Sequence, residues 1–217
     1  MSFCVLPSGA KILENVTLPA CLMGLEGDLI QTNLTLADGK ITSTDAGASA
    51  ETVIPRFDMK GAMVFACFVD MHTHLDKGHI WPRAANPDGS FMGALNTVRA
   101  DHANWTAEDV EARMEFSLRC AYAHGTKAIR THIDSLDNLA ASSFGVIAKL
   151  QDRWRGKIAL QASCLVAIDR VFKEQGDFPA IAKIVAEGGH TLGSVTYPVP
   201  DLKERLLDFF HFAMLYD

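Results

Sequence analysis

The sequence has no long apolar run. Its longest strand-like run, GAMVFACFV, falls far short of the roughly 20 apolar residues that cross a bilayer, so no membrane span is expected. A secretory start is also missing, because MSFCVLPSGAKILENV has no charged beginning followed by an apolar stretch. There is no Cys-x-x-Cys pair, and the five cysteines (Cys4, Cys21, Cys67, Cys120 and Cys164) are odd in number. That argues against a disulfide framework or a zinc ribbon and for a reduced, cytosolic chain. No basic excess is present. The formal net charge of −6 leaves no electrostatic footprint for nucleic acid. Nor does any glycine-rich phosphate fingerprint open a helix, since Gly188-Gly189 closes one. These absences point to a cytoplasmic protein with a small-molecule partner and with neither nucleic acid nor membrane among its ligands.

What is present is a globular balance of 48% hydrophobic and 21% charged residues, enough apolar surface to form a core and to exclude a disordered or fibrous chain. Residues 1–60 read as β-rich, with KILENVTLPA, DLIQTNLTLADGKITST and AETVIPRFDMKG as strands and Asp38-Gly39 as a tight hairpin. From residue 61 to 217 the grammar changes to strand followed by helix. AMVFACFVD is a strand leading into a long polar loop with Pro82, Pro87 and Asp88-Gly89. WTAEDVEARMEFSLRCAYAHG then starts on a Thr106–Asp109 capping box, shows Val110, Met114, Phe116, Leu118 and Ala121 as an apolar face, and stops at Gly125. TKAIRTHID, GKIALQASCLVA and TLGSVTY follow as strands, each with its own helix. Such alternation predicts a parallel sheet covered by helices, either a (β/α)₈ barrel or an open doubly wound sheet. A full barrel takes eight units and about 250 residues. Only about four units fit here, which would leave two exposed edges to be covered by further chain or by another copy.

One stretch concentrates chemistry. VDMHTHLDKGH places three histidines, two aspartates and a lysine in eleven residues, directly after an apolar strand. His72 and His74, two apart on that strand, point to one face. At the C-terminal mouth of a barrel they would converge as ligands for one divalent metal, Zn or Fe.

With these residues in view, FVDMHTHLDK resembles the strand-1 signature of the amidohydrolase superfamily, and more narrowly its cytosine deaminase-like branch. NPDGSFMGALN, AYAHGTKAIRTHID and GKIALQ follow in matching order. The resemblance covers the N-terminal half of the family's length. It implies an amidohydrolase-type (β/α)₈ TIM barrel preceded by a small β-sandwich segment. It implies metal-dependent hydrolytic deamination of a nitrogen heterocycle, a cytosine-like pyrimidine or a triazine. On this resemblance His72 and His74 are metal ligands and Phe91, or Met92 one register step away, packs on the substrate ring, while the catalytic acid-base group is expected beyond residue 217. The sequence departs from the family at Ala66-Cys67, where Pro-Gly is usual. It departs again at the end of strand 3, where Val166 or Ala167 stands in place of a base-reading glutamine, which puts cytosine itself in doubt. TLGSVTY offers no lysine to bridge two metals, favouring one. Hydrolysis of a cyclic amide or an N-alkyl C–N bond on the same scaffold, or a non-catalytic half barrel, are the alternatives.

His132 and Asp134 share one face with Arg130 at the end of strand 2, where they either contact substrate or form an interior hydrogen-bond network. Lys77 and Asp76 read equally as an ion pair fixing the loop or as groups acting on substrate. His79, Trp81 and Arg83 read as lid or plain surface. Cys164 reads as a small buried hydrophobe, and His102, His124, His190 and His211 as isolated cap or packing residues. A homo-oligomer is possible on this scaffold, but no residue pattern shows an interface.

Overall fold

A computed structural model describes residues 6–44, 54–86, 88–136 and 139–216. Cys4, Pro87 and the first residues of the AETVIPRFDMKG strand lie outside the described residues. The chain divides into two compact units, Met1–Ala66 and Cys67–Asp217.

The first unit contains a four-stranded sheet in the order β3-β2-β1-β4. Strand β1 (Lys11–Pro19) pairs antiparallel with β2 (Leu29–Ala37), which pairs antiparallel with β3 (Lys40–Ser43). Strand β4 (Arg56–Asp58) runs parallel to β1. The β2–β3 turn has φ of 51° at Asp38 and 72° at Gly39. Two consecutive left-handed residues make the primed turn whose twist matches that of the strands. Leu13, Val16, Leu18 and Leu34 fill this unit's own core.

The second unit is a mixed α/β fold built on a parallel sheet ordered β5-β6-β7-β8. Its strands are β5 (Phe68–Thr73), β6 (Thr126–Asp134), β7 (Ala159–Ala167) and the short β8 (Ser194–Val195). Helices α1 (Phe91–Asp101) and α2 (Ala107–Ala123) follow β5. Helix α3 (Leu139–Arg153) follows β6, α4 (Phe178–Glu187) follows β7, and α5 (Leu202–Leu215) follows β8. Alternate residues of β6 and β7 (Ile129, Ile133, Leu160, Ala162, Cys164 and Val166) are buried in one core with Met114, Leu118, Ile147, Leu150, Phe178 and Ile181 from the helices. Cys164 is the small buried hydrophobe its sequence context suggests, and burial pushes its thiol up to about 11. Among the described residues no helix is long and apolar enough to cross a membrane.

Three expectations are corrected. Residues 62–67 do not form the first strand of the sheet. β5 starts at Phe68, and its side chains are largely exposed, with Met71 at 75%, because among the described residues β6 is the strand that pairs with it. Phe116 lies outside the buried face of α2 and meets the His79 ring edge-on at 4.7 Å. The polar loop before α2 contains a helix, α1, capped by Ser90, whose Oγ accepts the Gly93 N–H at 2.9 Å. Its eleven residues include Gly93, Asn96 and Thr97, which dilute the helical period. The α2 cap forms as expected, with Thr106 Oγ1 accepting from Asp109 N at 3.2 Å. The Asp109 carboxylate itself turns to arginines.

Gly193 leads into β8. A Cβ there would stand 2.4 Å from the Cys164 carbonyl oxygen and 2.5 Å from Ser163 Oγ. The crowded atom is strand backbone, which cannot rotate away. Gly193→Ala is therefore expected to cost about 1–3 kcal/mol, read as a lower urea midpoint.

Candidate active site at the ends of the parallel strands

His72 is the penultimate residue of β5, and His74 falls one residue past the strand end, after a register shift between Asp70 and Thr73. The two rings still converge, with centroids 5.3 Å apart and planes at 69°. His74 Nδ1 is 3.0 Å from the His132 carbonyl oxygen. A carbonyl only accepts, so Nδ1 donates the proton and Nε2 keeps its lone pair. Burial, followed by the nearby Lys77 charge, holds the His74 pKa below its ordinary value, which favours this neutral form. The His132 ring lies against His72 at 4.2 Å with a 34° tilt. Burial first, then His72 and His74, lower its pKa too. One residue thus contacts both candidate ligands, through its ring on one side and its carbonyl on the other.

Two converging imidazoles, one with its tautomer set by a backbone carbonyl, fit a divalent first-row metal. Among the described residues no group of three or more His, Cys, Asp or Glu side chains is placed to hold a metal. The fit is therefore that of a partial ligand set.

Beside the imidazoles lies a charged cluster. Lys77 Nζ donates to Asp134 Oδ1 at 2.5 Å, so the lysine's partner is Asp134 rather than its neighbour Asp76. Asp76 is fully buried, and its Oδ2 accepts the Asp134 N–H at 2.7 Å. Burial first, then the Asp134 charge, raise the Asp76 pKa. Burial alone would raise Asp134 as well, but His102 and Lys77 together hold it below the ordinary value. Leu75 N donates to Thr131 Oγ1 at 3.0 Å, which stitches the loop to β6.

The sequence-predicted residues thus separate into two groups. His72, His74 and His132 come together, and Lys77 joins Asp134. Phe91 opens α1 at 79% exposure and, among the described residues, makes no ring contact with the imidazoles. Gln161, the glutamine of β7, has its Oε1 taken by Arg130 Nε at 3.1 Å and Nη2 at 2.9 Å. Trp81 is exposed, while His79 Nε2 lies 3.0 Å from Ser117 Oγ.

Sequence reasoning missed the support of the loop. Arg83 donates to both oxygens of Asp101, at 2.8 Å each, and to both oxygens of Asp109, at 2.5 and 2.9 Å. Asp101 also accepts from Asn104 and Trp105, each at 2.9 Å. Arg113 donates to Asp109 at 2.9 Å and to the carbonyls of Asp76 and Gly78, and its guanidinium lies 4.8 Å from the Trp105 ring centroid. Asp101, Trp105, Asp109 and Arg113 recur every four residues. That spacing is visible in the sequence, although a 3₁₀ turn, His102–Asn104, interrupts the helical path between them.

No family model matches the chain. It is 46% identical over 212 residues to a pterin deaminase of Rhizobium rhizogenes, covering 94% of this chain and 48% of that protein. It is 31% identical over 98 residues to an N-isopropylammelide isopropyl amidohydrolase of a Pseudomonas species, covering 41% of this chain and 23% of that one. Its structure aligns with 5-methylcytosine deaminase from Klebsiella pneumoniae, crystallised with 5-fluorocytosine. That alignment has a TM-score of 0.69 and 18% identity, over 94% of this chain and 49% of that one. The chain spans about half the length (48%) of the pterin deaminase and less of the amidohydrolase.

Proposed function

We propose that the chain is the N-terminal half of a cytosine deaminase-like member of the amidohydrolase superfamily and serves the hydrolytic deamination of a nitrogen heterocycle, a reading supported by its sequence similarity to a pterin deaminase and its fold similarity to 5-methylcytosine deaminase. A pterin-like ring is the first substrate to test, ahead of cytosine-like pyrimidines and triazines, because the 46% identity is to a pterin deaminase. The observation that carries the reading is the His72–His74 pair at the end of β5, with Nε2 of His74 left free by the His132 carbonyl.

On this reading His72 and His74 hold one divalent metal, zinc or iron. Such a metal, when bound, supplies Lewis acidity and water that is nucleophilic near neutral pH. The remaining roles belong to this chain's own residues. The His132 ring keeps the His72 imidazole in place. Lys77 and Asp134 offer a donor and an acceptor at the mouth, and Phe91 supplies an apolar face for the substrate ring. The sheet of Met1–Ala66 is read as one layer of a small β-sandwich, and the partner as a small molecule in the cytoplasm.

The shorter match to an N-isopropylammelide isopropyl amidohydrolase favours a second reading, cleavage of an N-alkyl C–N bond. Both readings are tested together by incubating the metal-supplemented full gene product with pterins, pyrimidines and N-alkylated triazines. Ammonia identifies deamination, and an alkylamine identifies the second reading. Release of neither would remove both.

A further inference from the structure

The sequence presents His102 as an isolated histidine, yet the structure brings it to the candidate site. It follows the last residue of α1, and its ring meets Trp105 edge-on at 4.5 Å. Its Nε2 is buried without a hydrogen-bond partner and lies 3.6 Å from Asp134 Oδ2. The other oxygen of that carboxylate, Oδ1, is the one that accepts from Lys77. In the Nε2–H tautomer this nitrogen would point its proton toward that carboxylate. Asp134 ends β6 and His102 directly follows α1, so this pair joins the end of α1 to the rim on which His72 and His74 also lie.

We infer that His102 is a positioning residue for the site: it holds Oδ2 of Asp134 while Lys77 holds Oδ1, and so fixes both that carboxylate and the C-terminal end of α1 at the rim. The chemistry it serves rests on the proposed function, but the contact does not. Packing on Trp105 is the rival explanation, and two substitutions separate them. His102→Phe keeps an aromatic ring against Trp105 and loses the nitrogen. His102→Gln loses the ring and keeps an N–H able to reach Asp134.

Amide hydrogen exchange of the full chain reads the difference, with β6 and β7 amides as the internal reference. In His102→Phe, the α1 amides are expected to exchange about tenfold faster than in the wild type, because an anchor to a charged group is lost and local opening becomes easier. In His102→Gln they should stay within about twofold of wild type. Wild-type exchange in His102→Phe would overturn the inference in favour of packing. Equal acceleration in both variants, or acceleration spread over β6 and β7, would overturn it as well. The readout needs no turnover. A chain that releases no ammonia would defeat the proposed function and leave the exchange result standing.

Discussion

Asp101→Ala is expected to lower the stability of the Cys67–Asp217 unit by about 2–3 kcal/mol, because it leaves the buried Trp105 N–H without an acceptor and takes one carboxylate from a partly exposed Arg83. That is a large share of the roughly 5–15 kcal/mol that holds a domain folded. Asp101 is only 3% exposed, and four donors converge on it: Arg83 Nε and Nη2, Asn104 Nδ2 and Trp105 Nε1. The check is the urea midpoint, expected to fall by more than about 1 M. A loss below about 1 kcal/mol would place Asp101 among ordinary surface ion pairs.

The same residue sets a pH dependence. The Arg83 guanidinium first of all, then Asn104 and Trp105, outweigh burial and hold the Asp101 carboxyl at about 2, below its ordinary value. A depressed carboxylate stabilises the fold fully above the unfolded-state pKa of about 4, and the contribution is lost as pH falls toward the folded value. The size is about 2–3 kcal/mol. Asp101→Asn should flatten that part of the stability profile between about pH 4 and 2. Asp109, also held low by Arg83 first, leaves a remaining slope.

His74→Ala and His72→Ala are each expected to abolish metal retention and to reduce turnover on the order of 10³-fold or more, since Lewis-acid assistance is worth several kcal/mol. Metal content after dialysis and kcat/KM on the pterin panel are the two measurements. Full turnover by either variant would sink the ligand assignment. His132 is separable from its neighbours. If its ring supports His72, His132→Ala should weaken metal affinity by about 10–100-fold, whereas His132→Phe, which keeps the face against His72, should retain it within a few-fold. Equal loss in both would show that the ring nitrogen, not the stacking, is what matters. The carbonyl contact to His74 persists in every such variant, because it belongs to the backbone.

Local rules read from the sequence survive where a feature is made by neighbours in the chain. The Asp38-Gly39 hairpin, the Thr106 cap, β6 spanning Thr126–Asp134 and the close of α4 at Gly188-Gly189 all depend on backbone preferences within a few residues. Elements whose signal is diluted were missed, as α1 was, or overextended, as β8 was. α1 carries a glycine and four polar residues in eleven, and β8 keeps only Ser194 and Val195 of TLGSVTY. Side-chain partners were the least legible. Lys77 chose Asp134, 57 residues away, over the adjacent Asp76, because Asp76 is buried against the Asp134 backbone N–H.

The sequence alone determined the alternation that makes a parallel sheet, the positions of its turns and caps, and the paired histidines proposed as metal ligands, because periodicity and residue chemistry are local properties. Only the tertiary structure decided what those residues do together. Packing β5 beside β6 put the His132 ring on His72 and its carbonyl on His74. Folding α1 back to the strand ends put His102 on Asp134. Those contacts join residues 32 to 60 positions apart, and they form when burial of the shared core brings the elements side by side.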